Sequence, residues 1–144
     1  MVVVYRDLHC SLCKAYLAQL KLIYAEFRAT GVYVFIVLGD PKAKAQLMAD
    51  ETALILPKGL RSERGADAGA WSLRLRSSYL HETDQPFFEP GLFVINGDGL
   101  IHTLDVSHSP FVRPDLRGAL NGITFIRKNN YPIRATHSPR VRTY

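Results

Sequence analysis

Cysteine is scarce in this chain: Cys10 and Cys13 are the only two, and they stand three positions apart. A chain of 144 residues buries roughly two-thirds of its unfolded surface on folding, so it needs no disulfide staple. Long apolar runs are also missing. None approaches the roughly 20 residues that span a bilayer, although 47% of the residues are hydrophobic. The opening MVVVYRDLH lacks the cationic region, apolar core and small-residue cleavage site of a secretory signal. The expectation is a cytoplasmic protein with no membrane partner. In that compartment a close cysteine pair points to redox or metal chemistry rather than to a structural disulfide. Acid is nearly absent from Val106 onward, where Asp115 stands alone against seven lysines and arginines, a net +6. A basic end attracts phosphate, nucleic acid or an acidic partner. It lacks the interleaved aromatics of single-strand binders, so nucleic acid is not the expected partner. A solvated tail and a cationic helix end account for the charge more simply.

What is present is a readable order of elements. VVVYR, Val2 to Arg6, is short, β-branched and apolar, the pattern of a strand buried on both faces. From Cys10 to Thr30 the apolar residues Cys13, Leu17, Leu20, Tyr24 and Phe27 follow helical spacing, with Lys14, Lys21 and Arg28 off the stripe. Gly31 is a stop signal. VYVFIVL, Val32 to Leu38, predicts a second buried strand, and strand–helix–strand with a short return implies a right-handed parallel crossover. Asp40 and Pro41 suit the cap and first turn of a second helix. Residues 52–85 mix turn residues with a weak helical pattern and receive no assignment. Leu92 to Ile95 and Leu100 to Leu104 predict two strands joined by Asn96-Gly97-Asp98-Gly99, a hairpin turn. A last helix follows Pro114, with Leu116, Leu120, Ile123 and Ile126 on one face. Residues 1–131 are expected to form one domain and 132–144 a basic, irregular tail.

The pair falls between the first strand and the first helix. A helix N-terminus offers unpaired N–H groups and partial positive charge, both of which favour a thiolate. That setting can lower a cysteine pKa from about 8.5 into the range of about 3.5–7.5. Cys10 is expected at the cap, exposed. Cys13 is expected one turn in, on the apolar stripe, able to attack a mixed disulfide or sulfenic acid on Cys10. His9 and Lys14 add positive charge, and His9 can carry a proton. Two other readings compete. Cys10 and Cys13 have zinc-ligand spacing, and His102 and His108 suit the histidine half of a finger, but 88 residues separate Cys13 from His102 and no second Cys-x-x-Cys exists. The pair can also be two small core residues. The redox reading is preferred because strand, motif, helix and a late proline agree.

The order β-α-β-α-(variable)-β-β-α resembles the thioredoxin-like fold, an α/β architecture with a central mixed sheet flanked by helices. Such proteins place a cis-proline before the hairpin strand, facing the cysteines. Pro90 has that position, and with Glu89 it is a candidate for positioning substrate. The blocks VVVYRDLHCSLCKAYLAQL, GVYVFIVLGDP, FFEPGLFVINGDGLIHTLDVSHSPFVRPDL and NNYPIR resemble peroxiredoxin-like members of the alkyl hydroperoxide reductase/thiol-specific antioxidant (AhpC/TSA) family. The resemblance covers most of the chain outside residues 52–85. It implies thiol-dependent reduction of peroxides or disulfides, no prosthetic group, and an external thiol reductant such as thioredoxin or glutathione. Two departures stand out. The usual N-terminal extension does not precede Met1, which abuts the first strand; the readings are a truncated or mis-started chain or a shortened relative, with an exposed sheet edge that favours a homodimer. Family members also carry Thr-x-x-Cys, with the threonine and a distant arginine holding peroxide. Cys10 takes the threonine's place, which makes Cys13 the peroxide-attacking position by resemblance, whereas helix placement makes it Cys10. Arg113 is the candidate anion or peroxide contact, against the simpler reading of an exposed arginine at a helix start. From another class comes the alternative of a non-catalytic binding module that recruits an acidic partner through its basic end.

Overall fold

The computed structural model describes residues 1–37, 42–52 and 87–134. Three valines favour extended backbone, and Val2–Val4 form β1, buried throughout. The strand is shorter than predicted. Tyr5 still donates its N–H to Val37 O at 3.2 Å, but Arg6 and Asp7 leave the ladder and turn towards the cysteines. Helix α1, Ser11–Ala29, buries Cys13, Tyr16, Leu17, Leu20 and Phe27, a stripe close to the one the spacing predicts. It ends in a left-handed glycine, Gly31 at φ +74. Gly31 N–H bonds Arg28 O at 2.9 Å and Val32 N–H bonds Phe27 O at 3.0 Å, which satisfies carbonyls the helix end leaves open.

Strand β2, Phe35–Val37, lies parallel to β1, with Val3 opposite Ile36. It is shorter than the apolar run, because Val32 closes the helix cap while Val34 packs into the core. Helix α2 spans Lys42–Thr52. The predicted cap Asp40, Pro41 and residues 53–86 lie outside the described residues. Strands β3, Gly91–Ile95, and β4, Ile101–Val106, form the hairpin. Its turn is held by Asn96 Oδ1, which accepts from Asp98 N–H at 3.0 Å and Leu100 N–H at 2.9 Å. Helix α3, Leu116–Asn129, is capped by Asp115, whose side chain accepts from Gly118 N–H. Leu116, Leu120 and Ile123 are buried, and Ile126 is half-buried, on the predicted face.

The sheet order is β2-β1-β3-β4, with β3 antiparallel to both β1 and β4. One face carries Val3, Ile36 and Leu92 against Leu17 and Leu20 of α1 and Leu120 and Ile123 of α3. The other face gathers Val2, Val4, Val37, Phe88 and Phe93. The α1–α3 contact includes a surface ion pair between Glu26 and Arg117. Among the described residues, β2 and β4 are the sheet edges. No described helix is long and apolar enough to cross a membrane. Residues 131–134 of the C-terminal region stay against the body at their start: Tyr131 O meets His102 Nε2 at 2.9 Å, and its ring lies 5.7 Å from Phe125. Residues 135–144, most of the predicted tail, lie outside the described residues.

Candidate active site

The end of β1 delivers the chain directly to the cysteines. Cys10 N–H bonds Asp7 O at 3.1 Å, which closes a turn and sets Cys10 as the N-cap of α1 with φ −83 and ψ 100. Its sulfur accepts the Cys13 N–H at 3.2 Å, one of the donors that a helix start leaves without an intrahelical partner. Cys10 was expected to be exposed. It is only 6% exposed, because the turn from Asp7 folds it under the chain, and Cys13 is fully enclosed at 0%. Both thiols are free.

Arg113 reaches the pair from the segment between β4 and α3. Its Nη2 lies 3.1 Å from Cys13 Sγ and 3.6 Å from Cys10 Sγ, while its Nε donates to Pro110 O at 3.2 Å. The reading of Arg113 as an exposed arginine at a helix start is corrected: it precedes the Asp115 cap and is half-buried against both sulfurs. Tyr16 of α1 holds this segment in place. Its hydroxyl donates to Pro114 O at 2.9 Å, and its ring centroid lies 6.0 Å from the Arg113 guanidinium. Burial raises the Tyr16 pKa, so its hydroxyl keeps its proton and remains a donor.

These surroundings separate the two thiols. The Cys10 pKa is lowered to about 5, first by a hydrogen bond from the Cys13 thiol and then by the Cys13 N–H and the charges of Arg113 and Arg6, against burial. The Cys13 pKa is raised, first because its proton is shared with Cys10 and then by burial. Arg113 is nearer to Cys13, yet Cys13 also gives up its hydrogen bond if it ionises. Both shifts act in one direction: they favour a thiolate on Cys10 and oppose a second negative charge on the pair.

The remaining predicted site residues are placed differently from expectation. His9 Nδ1 faces Asp7 Oδ2 at 3.3 Å, and its ring meets Phe87 edge-on at 5.4 Å. Lys14 pairs with Glu51 of α2 at 2.7 Å. Glu89 is 5% exposed and forms an ion pair with Arg6 at 3.2 Å, without the alignment of a hydrogen bond between those two atoms. The expected cis bond before Pro90 is absent, since no described peptide bond is cis. Pro90 directly precedes β3, and its carbonyl accepts from Ser107 N–H at 2.9 Å, one position beyond the Gly91–Val106 pair. His102, on β4, bonds Tyr131 O, and no cluster of three or more His, Cys, Asp or Glu suited to a metal occurs among the described residues.

Sequence reasoning missed Arg6, Asp7 and Tyr16. Arg6 is 3% exposed, stacks on Phe87 at 4.2 Å and lends charge to Cys10. The available signal was two charged residues directly after an apolar strand and directly before the motif. Tyr16 had none, because its partner is 98 residues away.

No protein-family model and no curated protein matches this chain. Solved structures match it in fold. A cysteine-to-serine mutant of peroxiredoxin 6 from Arenicola marina superposes with a TM-score of 0.71 at 12% identity, covering 96% of this chain and 66% of that one. The chain thus spans just under two thirds of that protein's length. The bacterioferritin comigratory protein of Xanthomonas campestris, which has alkyl peroxide reduction activity, gives 0.65 at 11% identity, with coverage of 90% and 77%. Peroxidoxin BcpB from Mycobacterium tuberculosis gives 0.64 at 17%, with coverage of 95% and 80%. The chain has the thioredoxin-like fold found in these peroxiredoxins.

Proposed function

We propose that this thioredoxin-fold chain is a peroxiredoxin-like thiol peroxidase. The observation that carries the reading is one guanidinium, Arg113, within reach of both sulfurs of a pair that is almost closed to solvent. The enclosure favours a small oxidant over a protein disulfide, and the cation favours both a thiolate and the alkoxide that a peroxide releases. The Cys10 thiolate attacks one peroxide oxygen, and the O–O bond breaks. Cys10 becomes a sulfenic acid, and the leaving alkoxide takes up a proton to give an alcohol. The Cys13 sulfur then attacks the Cys10 sulfur. The S–S bond forms, the S–O bond breaks, and the hydroxyl leaves as water with the Cys13 proton. An external thiol reductant restores the two thiols by exchange. No step calls for a prosthetic group.

The test follows hydroperoxide consumption under dithiothreitol or thioredoxin. The native chain should turn over and Cys10→Ser should not, and Cys13→Ser treated with peroxide in the absence of reductant should accumulate a sulfenic acid that dimedone traps on Cys10. Turnover retained in Cys10→Ser would move the attack to Cys13, in line with the family resemblance. Absence of turnover with any reductant, with both thiols unmodified by peroxide, would leave the chain as a binding module of the same fold.

A further inference from the structure

One cleft among the described residues is set apart from the cysteines. It lies at the opposite end of the sheet, where β1 begins, β3 ends and the last turns of α3 pass by, and it encloses about 760 Å³. That volume is in the range of small-molecule sites. Phe35, Val94, Ile95, Ile123 and Ile126 make much of its wall, and no acidic residue among those described lines it. Three nitrogen-bearing side chains do: Asn96, His102 and Arg127. Arg127 sets its guanidinium over Gly31, so closely that a side chain at position 31 would collide with it, and among the described residues it makes no ion pair. His102 bonds Tyr131 O through Nε2, while its Nδ1 is buried without a hydrogen-bond partner among the described residues.

An apolar trough beside a guanidinium that has no ion pair among the described residues has a definite complement. The body of the ligand is apolar, because the walls are. Its polar end is an acid, because Arg127 offers only donors and no described carboxylate of the protein occupies them. A quaternary ammonium would meet Arg127 as a like charge, and an alcohol would leave its fork unfilled. We propose that this cleft binds a single-chain carboxylic acid, with the alkyl chain along Phe35, Val94 and Ile126 and the carboxyl group at Arg127. The proposal does not depend on the cysteines.

The test is calorimetric titration of the full chain with dodecanoate, dodecanol and dodecyltrimethylammonium, each below its micelle concentration. Dodecanoate should bind saturably at one site, and more tightly than the other two. Arg127→Gln changes an exposed residue and should weaken dodecanoate binding about tenfold, the worth of a charge-assisted hydrogen bond. Ile126→Trp should block the trough, and Arg117→Gln, on the same helix but paired with Glu26, should change nothing. A Cys10→Ser/Cys13→Ser double variant should bind as the native chain does. No saturable binding, equal affinity for acid and alcohol, or full affinity in Arg127→Gln overturns the proposal.

Discussion

Replacing Arg113 by glutamine removes the positive charge that the tertiary structure brings to the cysteine pair and leaves a shorter, uncharged polar side chain. The guanidinium nitrogen is 3.6 Å from Cys10 Sγ and 3.1 Å from Cys13 Sγ. An opposite charge this close lowers a pKa by about 1–3 pH units. Arg113 is only half-buried and also donates to Pro110 O, so screening by solvent places its effect at the lower end, about one unit. The larger contribution, the hydrogen bond from Cys13, stays in place. The Cys10 midpoint should therefore move from about 5 to roughly 6. The assay is alkylation by limiting iodoacetamide across the acid range, with the modified sulfur located by peptide fragmentation. In the native chain the rate should stay level from neutral pH downward and fall as pH drops through about 5, where the thiolate takes up its proton. In Arg113→Gln the rate at pH 5 should drop roughly fivefold, while the rate at pH 8 stays within about twofold. A midpoint within about 0.3 unit of the native one would refute the idea that Arg113 stabilises the thiolate.

Other expectations use different parts of the site. In paired variants, Cys10 should be alkylated faster in Cys13→Ser than Cys13 is in Cys10→Ser, because serine can still donate to the Cys10 sulfur while Cys13 is fully enclosed; the reverse order would assign the attacking thiol to Cys13. Mild oxidation should remove two hydrogens in mass spectrometry, reversed by dithiothreitol, and only intermolecular disulfides would count against an internal pair. Tyr16→Phe loses the bond to Pro114 O and should cost about 1 kcal/mol in urea unfolding, with a higher Cys10 midpoint because Arg113 is less well held; an unchanged midpoint would mean that Tyr16 packs but does not position. Glu89→Gln leaves the buried Arg6 without its carboxylate and should destabilise by about 3–5 kcal/mol, far more than Glu26→Gln at the exposed pair with Arg117; equal losses in the two variants would refute the difference in burial as its cause.

The local features of the sequence carried most of the fold. Apolar spacing marked the buried face of α1 from Cys13 to Phe27, since a helix repeats its faces every three to four residues whatever it packs against. Asn96-Gly97-Asp98-Gly99 marked the hairpin because those residues satisfy turn backbone with their own side chains or tolerate its angles. Strand lengths were less legible. VVVYR and VYVFIVL are uniformly apolar, and nothing local says where pairing stops and a turn or cap begins.

The sequence by itself determined that two thiols share the first turn of a helix, because a spacing of three on a capped helix start allows little else. Only the tertiary structure decided their environment. Cys10 is enclosed because the turn from Asp7 folds over it. Arg113, 100 residues beyond Cys13, faces both sulfurs because Tyr16 ties its segment to α1. The Arg6–Glu89 pair likewise joins residues that β1 and β3 bring side by side. Charges so far apart in sequence carry no local signal, since their interaction depends on distance in space and on exclusion of water, and both are properties of the packed chain.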